Sequence, residues 1–111
     1  MRLKSGMWVA AFIRRCQAEG APAVVMRRGA EEAGAIFVVV DRLDGTHDFY
    51  APAPQTEVSE DVAVDRLFQK VIAAGEGHAI SERIARETRF DSDIWVVAVE
   101  DRTGRSFLET V

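Results

Sequence analysis

Two stretches of the chain carry side chains that could do chemistry. The first is Arg27-Arg28-Gly29-Ala30-Glu31-Glu32-Ala33-Gly34. Two adjacent guanidinium groups beside a glycine turn suit the clamping of a phosphate or carboxylate. The Gly-x4-Gly spacing invites comparison with a phosphate-binding loop. Ala35-Ile36 stands where the lysine and the magnesium-binding hydroxyl would follow, so that motif is excluded. A turn whose arginines pair with Glu31 or Glu32 accounts for the same residues without a ligand. The second stretch is Arg86-Glu87-Thr88-Arg89-Phe90-Asp91-Ser92-Asp93-Ile94-Trp95. Carboxylates two residues apart, as in Asp91 and Asp93, can ligate Mg²⁺ or Ca²⁺. A calcium loop would continue with Asp or Asn and then Gly, and here Ile94 and Trp95 follow. An Asx-turn at a helix end, with Arg86 or Arg89 alongside, is the favoured reading. No metal and no cofactor are expected.

The remaining candidates are sparser. Trp8 and Trp95 are expected to anchor the core. The sharper alternative makes the two tryptophans an aromatic wall for a ligand pocket, Trp95 lining it with Asp91 and Asp93 beside Arg27 and Arg28. His47 follows a hairpin turn and His78 a glycine-rich break. Neither has a partner at a recognisable catalytic spacing, and both are expected at the surface. Glu100-Asp101 at a strand end could form a general-base pair, but solvated charge explains it as well. Cys16 recurs with Trp8 and Phe12 on an apolar helical stripe, which makes it a buried small hydrophobe rather than a nucleophile.

These residues need elements to position them. Ser5 is the expected N-cap of a first helix, about Gly6 to Glu19, stopped by Gly20-Ala21-Pro22. Ala23 to Arg28 reads as a strand, and Ala35 to Asp41 as the strongest central strand in the chain. Asp44-Gly45 turns it into a third strand, Thr46 to Tyr50. The two prolines of Ala51-Pro52-Ala53-Pro54-Gln55 make that stretch a loop or an edge. Val64, Leu67, Phe68, Val71 and Ile72 recur at helical spacing, which predicts a second helix from Ser59 or Glu60 to Ala74. After Gly75-Glu76-Gly77 a charged third helix is expected, about His78 to Arg89. Ile94 to Glu100 is a second apolar strand, and Arg102-Thr103-Gly104 leads into a last one, Ser106 to Thr110.

The order is therefore α-β-β-β-α-α-β-β. It predicts an α+β fold, a mixed and mainly antiparallel sheet of about five strands packed with three helices. A three-layer α/β/α sandwich is the alternative, because Ala35–Val40 and Ile94–Val99 both look buried on two faces.

Composition bounds the function classes. The 111 residues suffice for one domain, 1–111, and the 48% hydrophobic and 29% charged fractions exclude disorder and low complexity. One cysteine rules out an internal disulfide and a multi-cysteine zinc site. No apolar run is long enough to span a membrane, and the run Met7 to Ile13 lacks a cleavage site, so a cytoplasmic location is expected. The net charge of −4 hides an asymmetry. Residues 1–30 hold six Arg or Lys and one Glu, net +5; residues 31–111 hold eight against 17 Asp or Glu, net −9. Mutual neutralisation across the fold is the simplest account, which makes nucleic-acid binding an unfavoured reading.

Several of these stretches together carry a resemblance. They are Trp8-Val9-Ala10-Ala11 with Arg14-Arg15, Arg27-Arg28-Gly29 through Glu32-Ala33-Gly34-Ala35, and Ala51-Pro52-Ala53-Pro54-Gln55. Arg86-Glu87-Thr88-Arg89-Phe90-Asp91, Asp93-Ile94-Trp95-Val96-Val97 and Gly104-Arg105-Ser106-Phe107-Leu108 complete the set. Over nearly its whole length the chain resembles a family of short, mostly alphaproteobacterial proteins known only as a domain of unknown function. Ser92 stands where proline is expected in such relatives, which affects only the stiffness of that turn. The resemblance implies a single domain and no mechanism.

With no complete catalytic set, the first expectation is a small non-catalytic cytoplasmic accessory or interaction protein, with a protein partner or homo-oligomer and no membrane. The alternative is a small-molecule or anion-binding domain, an enzyme included, using Arg27, Arg28, Asp91, Asp93 and Trp95.

Overall fold

The computed structural model describes residues 2–54 and 66–111. The first helix, α1 (Ser5–Ala18), buries Trp8, Val9, Phe12 and Cys16 on one stripe, as their spacing requires. Ser5 does not cap it. Ser5 is the first helical residue, preceded by Lys4, and its hydroxyl donates to the Gly34 carbonyl at 2.6 Å. The backbone N–H groups of Ser5 and Gly6 donate to the carbonyls of Glu32 and Glu31 instead. A distant loop thus satisfies groups that a helix start leaves open.

Five strands follow: β1 (Ala23–Arg27), β2 (Ile36–Asp41), β3 (Thr46–Pro52), β4 (Phe68–Glu76) and β5 (Trp95–Glu100). A second helix, α2 (Gly77–Phe90), lies between β4 and β5. The sheet order is β1-β5-β2-β3-β4. Among the described strands β2 and β5 run parallel, and the other three pairs are antiparallel. The class is α+β with a five-stranded mixed sheet. The Asp44-Gly45 turn does join an antiparallel pair, with Val38 opposite Tyr50 and Asp41 opposite His47.

Alternation along the two central strands divides the core. Ile36, Val38, Val40, Trp95, Val97 and Val99 face α1, while Phe37, Val39, Ile94 and Val96 share a second cluster with Ile80 and Ile84 of α2. One helix therefore covers each face, a layering the periodicity left open. Doubly buried strands read as unbroken apolar runs for this reason.

Two expected elements differ. Residues 68–74, assigned to a second helix, form most of β4; the start of that helix, 59–65, lies outside the described residues. The described residues contain two helices, not three. The cause is a bulge: Tyr50 sits opposite Lys70 and Phe49 opposite Ile72, so Val71 is an extra residue in the ladder. Val71 and Ile72 consequently both pack against the α2-side cluster, while Phe68 enters the α1-side cluster. A bulged strand so placed mimics helical spacing. The last expected strand, Ser106–Thr110, is reduced to a single parallel bridge between Phe68 and Thr110. Phe107 has a φ of +62°, which interrupts any extended run, and it packs with Leu108 over the α1-side core.

The strand β3 also continues past Tyr50 to Pro52. Its ladder with β2 ends at Tyr50, so beyond that point only β4 pairs with it and proline costs no β2 bond.

Candidate functional site

The turn after β1 and the turn before β5 are built against each other. Arg27 donates through Nη1 to the Ile94 carbonyl at 2.9 Å. The Ala30 N–H donates to the Asp93 carbonyl at 2.9 Å, and the Trp95 indole N–H donates to the Ala30 carbonyl at 2.8 Å. Gly29 and Gly34 both lie so close to the Asp93 carbonyl that neither position has room for a Cβ. The Gly-x4-Gly spacing therefore serves close backbone approach, not phosphate binding.

Of the five candidate residues, the structure brings Arg28 and Trp95 together. The Arg28 guanidinium lies over the Trp95 ring, 5.2 Å from its centroid, and pairs with Glu31 at 3.3 Å. Both border a hollow of about 430 Å³, lined also by Val9, Ala10, Ile13 and Val25. Arg27, Asp91 and Asp93 do not line it. Asp91 accepts the Asp93 N–H at 2.9 Å, closing an Asx-turn at the end of α2, and both aspartates are exposed. Trp8 and Trp95 are both buried, Trp8 stacking on Phe12 at 5.0 Å. Cys16 is fully buried, and burial pushes its thiol up to about 11, so no thiolate is present near neutral pH.

Other candidates fall to structural roles. Asp101 accepts hydrogen bonds from Arg105 and Thr103, and Arg105 holds its carboxyl well below the usual carboxylate range. Glu100 beside it is exposed. His78 is exposed, 3.5 Å from Glu82, one helical turn on. His47 departs from expectation: its side chain is only 22% exposed, lying beside Gly77 and 3.8 Å from Asp41. A hairpin turn does not expose a side chain when a helix start closes over it. Among the described residues, no three His, Cys, Asp or Glu side chains gather as a metal site would require, and no helix is long and apolar enough to cross a membrane.

The feature that residue-by-residue reading passes over is β1 itself. It is an edge strand, and three consecutive apolar residues on it are open to solvent: Val24 at 61%, Val25 at 40% and Met26 at 56%. Exposure of successive residues means that both faces of the edge are uncovered. Val25 borders the Arg28–Trp95 hollow on the α1 side. Met26 borders another of about 320 Å³ on the α2 side, with Val39, His47, Ile80 and Ala98. The Glu100 N–H donates to the Pro22 carbonyl. Antiparallel alternation then directs Val24 toward β5 and leaves the N–H and C=O of Ala23 and Val25 facing the free edge. The only sequence signal was an apolar strand in a basic, Pro-flanked context; edge position depends on sheet order, which the local pattern does not encode.

Comparison with known proteins places the chain. The family model described as "Protein of unknown function (DUF1491)" matches residues 3–109. No curated protein matches. Protein Atu0922 from A. tumefaciens, solved in solution, is 44% identical, with a TM-score of 0.85 over 100% of this chain and 96% of that one. A DUF1491 family protein from Caulobacter crescentus CB15, solved as a crystal, is 36% identical with a TM-score of 0.80. That alignment covers 100% of this chain and 99% of the other. An NMR structure of a DUF1491 family protein from the same organism gives the same identity and TM-score over 98% of that chain. Two alphaproteobacterial relatives thus share both sequence and fold across the full alignment, and the chain belongs to the DUF1491 family.

Proposed function

We propose that this protein is a small cytoplasmic interaction module without catalysis, which accepts an extended partner segment along β1. The observation that carries this reading is the run Val24-Val25-Met26, exposed on an edge strand and flanked by an apolar hollow on each side. Strand addition draws affinity from main-chain hydrogen bonds and selectivity from pockets for alternate side chains. Both parts are supported here, by the free-edge groups of Ala23 and Val25 and by the two hollows. The test is an anisotropy titration of a short fluorescent peptide alternating valine and threonine. Saturable binding that Val24→Lys weakens by about tenfold or more supports the module, since a buried charge is poorly tolerated in an apolar contact. Binding unaffected by Val24→Lys contradicts it.

A second reading, an anion-binding pocket, draws on Arg28 over Trp95 beside the larger hollow. Arg27, Asp91 and Asp93 would then serve as supports around it rather than as ligands. A thermal-shift screen with phosphorylated metabolites and nucleotides tests it, because a bound ligand raises apparent stability. A shift abolished by Arg28→Gln supports it, and no shift with any phosphorylated compound contradicts it.

A further inference from the structure

Resting on the reading of β1 as a docking edge, we infer that its occupant is β1 of a second copy of this chain, paired antiparallel about a two-fold axis at Val24. The free-edge groups belong to Ala23 and Val25, and these are the residues that antiparallel self-pairing needs: each Ala23 meets the other copy's Val25, with Val24 opposite Val24. The bulge after Val25 lies outside this three-residue ladder and does not interrupt it.

Charge selects the same arrangement. One end of β1 carries Arg27 and Arg28, the latter largely exposed. The other end, at Gly20 to Pro22, lies beside Glu19 and Glu100, both exposed. Antiparallel pairing sets the basic end of each copy against the acidic end of the other, twice per dimer. A parallel pair would set like against like. Apolar surface follows the same axis: Ala10 of α1 is exposed beside the hollow that Val25 borders, and its small side chain allows α1 of the second copy to approach. Val24 and Met26, exposed on β1, are covered together by the same joint.

The experiment is the mass of the full chain by sedimentation equilibrium from about 1 µM to about 1 mM, with Val25→Pro and Arg28→Glu alongside. Val25→Pro removes an N–H that points to the free edge while leaving the β5 ladder its own bonds. The expected result is a concentration-dependent doubling of mass in the parent chain, lost in Val25→Pro and weakened about tenfold or more in Arg28→Glu. An amide spectrum matching the parent away from β1 shows that each variant is folded. A parent chain that stays monomeric overturns the inference, and so does a dimer that survives Val25→Pro. If the parent is monomeric yet the valine–threonine peptide binds at β1, only self-pairing falls and the docking edge stands. If neither occurs, both fall.

Discussion

The sheet ends in two edges, and the chain treats them differently. At β4 the edge is broken up. Register shifts interrupt its ladder with β3, and Ala74 takes a φ of +50°. The C-terminal segment then closes one end, through the Phe68–Glu109 and Val111–Phe68 backbone bonds. Bulges and covering segments are among the ways a protein prevents unwanted strand pairing. At β1 the exposed positions are Val24, Val25 and Met26, and the single bulge comes at the end of the run. Among the described residues one edge is irregular and closed while the other is apolar and open, and this contrast supports the proposed docking at β1.

The largest expected effect lies on the protected side. Asp48 is fully buried and accepts hydrogen bonds from Arg42 Nε at 3.0 Å and from the Ala74 N–H at 2.8 Å, with Lys70 Nζ at 3.7 Å. From β3 it pins the irregular end of β4 to the turn between β2 and β3. Asp48→Ala strands the Arg42 charge and frees the Ala74 amide, and should cost about 3 kcal/mol in urea unfolding. Amide exchange along β4 should rise with it. A loss below about 1 kcal/mol would mean that the edge is shaped by something other than this carboxylate.

A middle-sized effect concerns the segment that closes the β4 side. Asp101 anchors the turn leading into it, and Asp101→Asn should cost about 1–2 kcal/mol at neutral pH through weakened charge-assisted bonds. Its pKa is depressed in the fold, first by the Arg105 side-chain hydrogen bonds. The contribution is therefore present above the unfolded value of about 3.9 and lost as pH falls below it. Melting curves of the two proteins should differ at pH 7 and converge in acid. An equal gap at pH 2 would contradict this.

The smallest stability effect is expected at the open edge. Val24→Lys should change unfolding free energy by no more than about 0.5 kcal/mol, since the side chain is already mostly in solvent. A loss of about 2 kcal/mol or more would show that Val24 supports the fold and would remove the contrast between the edges.

The contrast also explains what could be read from the residues. The strands β2 and β5 were legible because apolar runs buried on two faces leave a plain signal, and the Asp44-Gly45 hairpin because its turn chemistry is local. The strand β4 was not, since its bulge sets Val71 and Ile72 on one side and imitates a helix. The tail resembles a strand for a related reason: Phe107 and Leu108 are apolar because they pack over the α1-side core, not because they extend a sheet. Among the candidate site residues, the pairing of Arg28 with Trp95 needed the fold of two distant turns. The exposure of β1 needed the sheet order, and a strand of alanine, valine and methionine looks the same at the centre as at an edge.

Backbone amide exchange at Ala23 and Val25, measured with and without a saturating strand peptide, tests the central claim most directly. Both amides should exchange fast in the dilute free protein and slow by about tenfold or more with peptide, while β4 amides stay unchanged. Protection that appears along β4, or at neither edge, would contradict the account.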